Sequence, residues 1–273
     1  MNPLDLVLLV ALAASVLAWV LSLVTHDHSW VDRLWSVLPV VYVWVFAADA
    51  GLGDVRLTVM AVLVTLWGVR LTVNFARKGG YTGTEDYRWA VLRGRMPRWL
   101  FELFNLFFIV LYQNTLLVLI SLPALTAWQN RGTGFGVVDL SLAALFVALL
   151  AGETAADEQQ WRFHVGKRSR TTGPRFLQTG LWRYSRHPNF FFEQAQWWVF
   201  FALGASAAGS LLQWTAAGPL LLTLLFVGST AFTESITRGK YPEYAEYQRT
   251  TSPIVPWPPR GARVDPAARP ADG

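Results

Sequence analysis

Residues 6–24 read LVLLVALAASVLAWVLSLV, nineteen positions with two serines and no charge. As a helix rising 1.5 Å per residue, such a run covers roughly the 30 Å of bilayer hydrocarbon. It is too long for the apolar region of a signal peptide, no Lys or Arg precedes it, and Asp5 is acidic, so it reads as a retained membrane helix. The rest of the chain agrees: 53% of its 273 residues are hydrophobic and only 15% are charged, against about a quarter charged in soluble domains.

Working outward, apolar runs predict seven spans, at 4–25, 34–50, 57–76, 99–123, 137–161, 189–209 and 211–234. An odd number puts the termini on opposite sides. With the C-terminus in the cytoplasm, 20 of the 23 Lys and Arg fall on the cytoplasmic face, Arg56 and Arg131 fall on the other, and Arg70 lies within a span. That bias predicts an all-α bundle of seven membrane helices with the N-terminus outside. The net charge of +5 is then topology rather than a nucleic-acid footprint. Residues 1–259 read as one membrane domain and 260–273, rich in Pro, Ala and Arg, as a disordered cytoplasmic tail. The absence of cysteine excludes disulfides, iron–sulfur clusters and thiolate zinc sites. The His26-Asp27-His28 triplet is too short a signal for a metal, so no metal is expected. Nothing in the residues sets an oligomeric state.

The polar residues gather at one face of the membrane. Arg70 and Asn74 in LWGVRLTVNFARKGG (66–80) are four apart on one helix face, and an arginine within a span generally faces a polar interior. Glu153 and Asp157 repeat the spacing in AGETAADEQQWRFH (151–164). In GLWRYSRHPNFFFEQAQWW (180–198), Pro188 suits the first turn of a helix whose free N–H groups and dipole favour an anion. Arg183, Tyr184, Arg186 and His187 crowd that helix start, while Asn189 and Glu193 share the next face. The stretch YPEYAEYQRTTSPIVPWPP (241–259) adds Tyr241, Tyr244 and Tyr247 at three-residue spacing, then Arg249. There is no GxGxxG and no P-loop, so a bound nucleotide would be gripped by loops among helices.

Three segments in order, GETAADEQQ, TGLWRYSRHPNFFFEQAQWW and YPEYAEYQRTTSPIVPWPP, resemble the steroid 5-alpha-reductase C-terminal-like membrane family. SWVDRLWS, LWGVRL and EDYRW extend the likeness to its bacterial branch, over roughly residues 25–259. The resemblance implies a seven-helix bundle with NADPH in a cytoplasm-facing cavity, reducing a carbon–carbon double bond conjugated to a carbonyl in a lipophilic substrate held among membrane lipid. By position, Asp157, Asn189 and Glu193 match the family's cofactor-contacting residues and Arg70 its intramembrane arginine. Asn74, Arg183, Tyr184, Arg186, His187, Tyr244, Tyr247 and Arg249 join that set, and Trp35, Trp67, Gln113 and Trp197 would line the substrate pocket. The family's polarising glutamate and tyrosine are absent: span two reads WVDRLW and the span-three position is Trp67. Asp32 or Tyr87 is the expected catalytic substitute. Two other readings compete. Membrane methyltransferases resembling isoprenylcysteine carboxyl methyltransferase share RHP and a C-terminal YxxY, with S-adenosylmethionine as donor. A lipid-binding protein or transporter is the third, although no inverted repeat is visible.

Overall fold

The computed structural model describes residues 1–168 and 173–260. The expected disordered tail, apart from Arg260, lies outside the described residues. Among those described there is no β-strand, only one bridge, between Ser185 and Ser252. The helices are α1 (Pro3–Thr25), α2 (Trp30–Trp35), α3 (Leu38–Asp49), α4 (Val55–Arg77), α5 (Tyr87–Arg93), α6 (Arg98–Phe104), α7 (Gln113–Ser121), α8 (Pro123–Gln129), α9 (Val137–Arg168), α10 (Pro188–Ala208), α11 (Ala217–Lys240) and α12 (Tyr244–Thr250).

Among the described residues, six stretches are long and apolar enough to cross a membrane: Pro3–Thr25, Trp30–Asp49, Val55–Arg77, Arg98–Gln129, Val137–Lys167 and Trp214–Lys240. They coincide with six of the seven expected spans and make the protein a multi-pass membrane protein by length and composition. The exception is α10. It has the length, 21 residues, but Asn189, Glu193, Gln194 and Gln196 hold its hydropathy below that of the other six.

The described residues group into two compact units: residues 1–151 with 193–226, and residues 152–168 and 173–192 with 227–260. The boundary falls inside α9, α10 and α11, so the continuous apolar runs of these helices conceal it from a reading of composition.

The first unit is built from helices joined by short turns. Asn2 caps α1 by accepting from the Leu4 amide, and Asp54 caps α4 by accepting from that of Leu57. On α1 the buried positions include Val7, Ala11, Ala14, Ala18 and Ser22, three to four apart on one stripe of mostly small residues, with Ser15 beside it. The opposite face exposes Leu8, Leu12 and Val16, as expected of a helix with lipid on one side. Pro39 sits in the first turn of α3 and separates it from α2. Helices α3 and α4 run antiparallel, tied by Trp44 Nε1 donating to Thr65 Oγ1 at 2.9 Å, while Ser36 Oγ in the turn before α3 lies 2.7 Å from Thr72 Oγ1. Gly68 permits this approach, since a Cβ there would lie 2.5 Å from the Ser36 carbonyl oxygen. Between α6 and α7 the chain widens to a π-helix over Asn105–Tyr112. Phe104, Phe108 and Tyr112 stack in sequence there, with centroids 4.8 and 5.3 Å apart. A buried ion pair closes the unit: Arg56 Nε and Nη2 donate to the Asp139 carboxylate at 2.9 and 3.0 Å, and Ser206 Oγ donates to it as well.

The second unit holds the later half of α9, a 3-10 turn at Gly180–Arg183, the first turn of α10, the later half of α11, α12 and residues 251–260. Its core is aromatic: Phe176 meets Tyr244 edge-on at 5.0 Å and stacks on Tyr247 at 5.7 Å.

Candidate functional site

In the second unit the RHPN segment is organised around one carboxylate. Glu234, near the end of α11, is 6% exposed. Its Oε1 accepts from Arg186 Nε at 2.6 Å and lies 3.1 Å from His187 Nε2. Its Oε2 accepts from Arg186 Nη2 at 3.0 Å and Gln248 Nε2 at 2.8 Å. Tyr244 Oη donates to Oε1 at 3.3 Å. Arg186 Nη1 donates to the carbonyls of Gln248 and Thr251. The sequence reading places Arg186 and His187 on an external anion. In the structure the guanidinium is enclosed by protein acceptors, because a buried cation needs a full set of them.

The same segment fastens residues 251–260. The Arg186 amide donates to the Ser252 carbonyl at 2.8 Å, Ser185 Oγ to that of Ile254 at 2.6 Å, and the Trp257 amide to that of Tyr184 at 2.9 Å. Tyr247 Oη donates to the Trp182 carbonyl. Burial raises the phenol pKa of Tyr244, helped by the Glu234 charge, and burial likewise raises that of Tyr247. Both phenols therefore stay protonated donors. Of the other expected contacts here, the Arg183 and Tyr184 side chains are exposed, and Arg249 is exposed and pairs with Glu246.

Asp157 and Asn189 do come together. Asn189 Nδ2 donates to Asp157 Oδ1 at 3.5 Å, and Asp157 is 4% exposed. Asn189 Oδ1 is buried without a hydrogen-bond donor. Nearby in sequence, Gln159 Oε1 accepts from the Leu181 amide at 2.9 Å, and Trp182 Nε1 donates to the Ala156 carbonyl at 3.1 Å. These two bonds hold the 3-10 turn against α9.

The remaining expected residues lie in the first unit. Asn74 is buried and accepts from Arg77 Nε at 3.0 Å, while Arg70, one turn earlier, is half-buried. Trp67 and Trp197 are fully enclosed and meet edge to face, centroids 4.9 Å apart, with no hydrogen-bond acceptor at either indole N–H. Gln113 is buried at the head of α7, and Glu193 is buried on α10. Trp35 packs on a cluster that includes Ala18, Val31, Trp89 and Phe101. Against this cluster, Asp32 Oδ2 accepts from Trp89 Nε1 at 3.0 Å. Tyr87 is 52% exposed at the start of α5, which leaves Asp32 the more enclosed of the two expected catalytic groups.

His28 and Asp27 face protein partners. Asp27 pairs with Arg33 at 2.5 Å. His28 Nδ1 lies 3.0 Å from Glu85 Oε1, and Arg93 Nη2 donates to Glu85 Oε2 at 2.7 Å. Burial pushes the Glu85 carboxyl up, but the hydrogen bonds from Arg93 and His28 outweigh it and hold its pKa below the usual value. Among the described residues no group of three or more His, Cys, Asp or Glu is placed to hold a metal.

Sequence reasoning gave Glu234 no site role and left Gln248 out. Glu234 is 47 positions from His187 along the chain, and its one local signal is a lone carboxylate closing an apolar helix.

A family model described as "Protein of unknown function (DUF1295)" matches residues 18–251. The chain is also similar to an "Uncharacterized protein C594.04c" of Schizosaccharomyces pombe. The two are 39% identical over 277 residues, covering 93% of this chain and 80% of the relative. No solved structure matches the chain.

Proposed function

The chain belongs to the DUF1295 family, and we propose that it is a steroid 5-alpha-reductase-like membrane enzyme that uses NADPH to reduce a double bond conjugated to a carbonyl in a lipophilic substrate. In this reading α10 is a seventh crossing, the N-terminus lies outside, and the C-terminus is cytoplasmic, in the inner membrane of a bacterial host. The bias of Lys and Arg towards one set of loops supports that orientation.

The observation that carries the reading is the Asp157–Asn189 pair. A buried amide oxygen without a donor is a costly arrangement, about 1–3 kcal/mol in typical cases. Asn189 Oδ1 is such an atom. The carboxamide of a nicotinamide is both donor and acceptor, so its NH2 group would satisfy Asn189 Oδ1 while the Asp157 carboxylate takes a further donor. The residues present therefore fit the cofactor's amide end. The chemistry that NADPH supplies when bound is a hydride. The protein's part is to orient the ring and provide a proton. Asp32, with its Oδ2 held by Trp89 Nε1, is the proposed proton donor. Trp67 and Trp197, whose indole N–H groups have no acceptor, are the proposed contacts of the lipophilic substrate.

The test is thermal stabilisation of the detergent-purified protein by NADPH, NADH and S-adenosylmethionine side by side, because a ligand that binds only the folded state raises its apparent stability. Stabilisation by NADPH, abolished in Asn189→Ala, supports the reading. Stabilisation by S-adenosylmethionine alone replaces it with a methyltransferase, and no response to any of the three rejects a nucleotide-type cofactor.

A further inference from the structure

Residues 251–260, the strap fastened to Tyr184, Ser185 and Arg186, are apolar on both sides. Exposure alternates along the middle of the strap. Pro253, Val255 and Trp257 are exposed, and Ser252, Ile254 and Pro256 between them are partly buried. An alternating segment with one face on protein and the other in water carries polar residues on its outer face. Here the outer face is proline, valine and tryptophan, with Val255 59% and Trp257 66% exposed. Hydrogen bonds hold that arrangement in place. The Trp257 amide donates to the Tyr184 carbonyl at 2.9 Å, and the Arg260 amide to that of Thr250 at 2.9 Å. Ser185 Oγ donates to the Ile254 carbonyl at 2.6 Å. Tyr184 is itself 43% exposed, so the exposed aromatic surface continues onto the residue to which Trp257 is bonded. A fixed, contiguous apolar patch of this kind marks a contact surface.

Height, residue type and charge identify what meets this face. The membrane-long stretch Trp214–Lys240 ends at Lys240, α12 follows directly, and the strap begins where α12 ends at Thr250. Its other attachment, Tyr184 to Arg186, stands just ahead of Pro188, the first residue of α10 and of the proposed seventh crossing. A segment tied to the ends of two crossings lies at the level where bilayer meets water. Tryptophan and tyrosine concentrate at that level, because their rings are apolar with one polar edge. Arg183 and Arg260 flank the patch and are exposed. The exposed carboxylates at the head of α12, Glu243 and Glu246, are already taken by Arg175 and Arg249. The patch therefore has basic flanks, complementary to the anionic phospholipid of a cytoplasmic leaflet. A second copy of the chain is a poorer match. In a two-fold contact the patch meets itself, and Arg183 and Arg260 would be brought against like charge.

We infer that the strap is an interfacial lipid-docking surface, in which Val255 and Trp257 enter the boundary between headgroups and acyl chains while Arg183 and Arg260 contact anionic headgroups. The inference rests on the proposed cytoplasmic side of the C-terminus for the sign of the lipid, and not on the cofactor or the reaction. Thr251, at the head of the strap, also supplies a carbonyl to Arg186. Docking thus holds down the segment that completes the buried Arg186–Glu234 centre.

The chain has no cysteine, so Val255→Cys gives a single attachment point for a nitroxide. The labelled full-length protein is placed in nanodiscs of phosphatidylcholine or of phosphatidylglycerol. Power saturation then compares collisions with molecular oxygen, which concentrates in the bilayer, and with neutral nickel ethylenediaminediacetate, which stays in water. Both leaflets of a disc carry the same lipid, so an error in the proposed orientation leaves the result unchanged. The expected result is oxygen access above nickel access in both lipids, with the higher ratio in phosphatidylglycerol. Adding Trp257→Ala should lower the ratio several-fold, and adding Arg183→Gln with Arg260→Gln should abolish the difference between the lipids. Nickel access above oxygen access in both lipids places the strap in water and overturns the inference. Low access to both reagents overturns it as well, assigning the face to a second copy if the nitroxide spectrum shows dipolar broadening and to another part of this chain if it does not. Equal ratios in the two lipids overturn the headgroup role of the arginines. The substituted side chains are exposed, and circular dichroism checks that each variant remains folded.

Discussion

Arg186 meets Glu234 with two edges of its guanidinium, Nε at 2.6 Å from Oε1 and Nη2 at 3.0 Å from Oε2. Both residues are more than nine-tenths buried. Removing one partner of such a pair leaves an uncompensated charge, a loss of about 3–5 kcal/mol in comparable cases. Arg186→Ala is therefore expected to lower the melting temperature of the detergent-solubilised protein even without ligand. Arg186→Lys should recover only part of the loss, since an ammonium cannot engage both carboxylate oxygens in that geometry. An unchanged melting temperature in Arg186→Ala would show that the pair contributes nothing to the fold.

Asn189→Ala has a different expected profile. It deletes an amide whose oxygen has no donor, so thermal stability without cofactor should change by less than about 1 kcal/mol. Stabilisation by NADPH should be lost. Loss of both together, or of neither, would break the assignment of Asn189 to the carboxamide.

Gly68→Val tests the α3–α4 crossing. A Cβ at this position would stand 2.5 Å from the Ser36 carbonyl oxygen and 2.6 Å from Val40 Cγ2. The helices must separate, and overpacking of this kind typically costs about 1–3 kcal/mol. Thermal denaturation should detect it. Gly228→Ala, at a position with open space where a Cβ would go, is the control expected to be neutral.

The Glu85 cluster gives a pH dependence. Its folded pKa lies below the ordinary 4.5, so the folded state holds the charged form more strongly than the unfolded chain does. The stabilisation is fully present above about 4.5 and is lost as the pH falls through the lower, folded value. Thermal melts from pH 6 to pH 3 should show this acid-side loss in the wild type and a shallower one in Glu85→Gln. Identical slopes would remove Glu85 from the account.

The legible part of this molecule is the part written in long runs. LVLLVALAASVLAWVLSLV can be little other than a membrane helix. The Arg70–Asn74 spacing was legible as a shared face, but its partner choice was not, since Asn74 turns to Arg77 on its own helix. Arg186 and His187 read as anion ligands because their positive charge is local in sequence and the carboxylate that neutralises it is not. The π-helix at Asn105–Tyr112 was equally hidden. NLFFIVLY reads as ordinary apolar helix, and nothing in its residue types announces the wider turn. The division of the chain within α9, α10 and α11 was invisible for a related reason, because boundaries are sought in linkers and here they fall inside continuous helices.

The fastening of residues 251–260 to Tyr184, Ser185 and Arg186 also sets an order of events during synthesis. The apolar helices can enter the bilayer one by one as the ribosome makes them. Arg186, however, lacks its Glu234 carboxylate until 48 further residues have been made, and its Gln248 and Thr251 carbonyls until 62 and 65 have. Throughout that interval a nascent chain carries an arginine prepared for burial without its acceptors. A premature stop before residue 251 would thus leave an inserted but unlatched protein, the kind of product that membrane quality-control proteases remove.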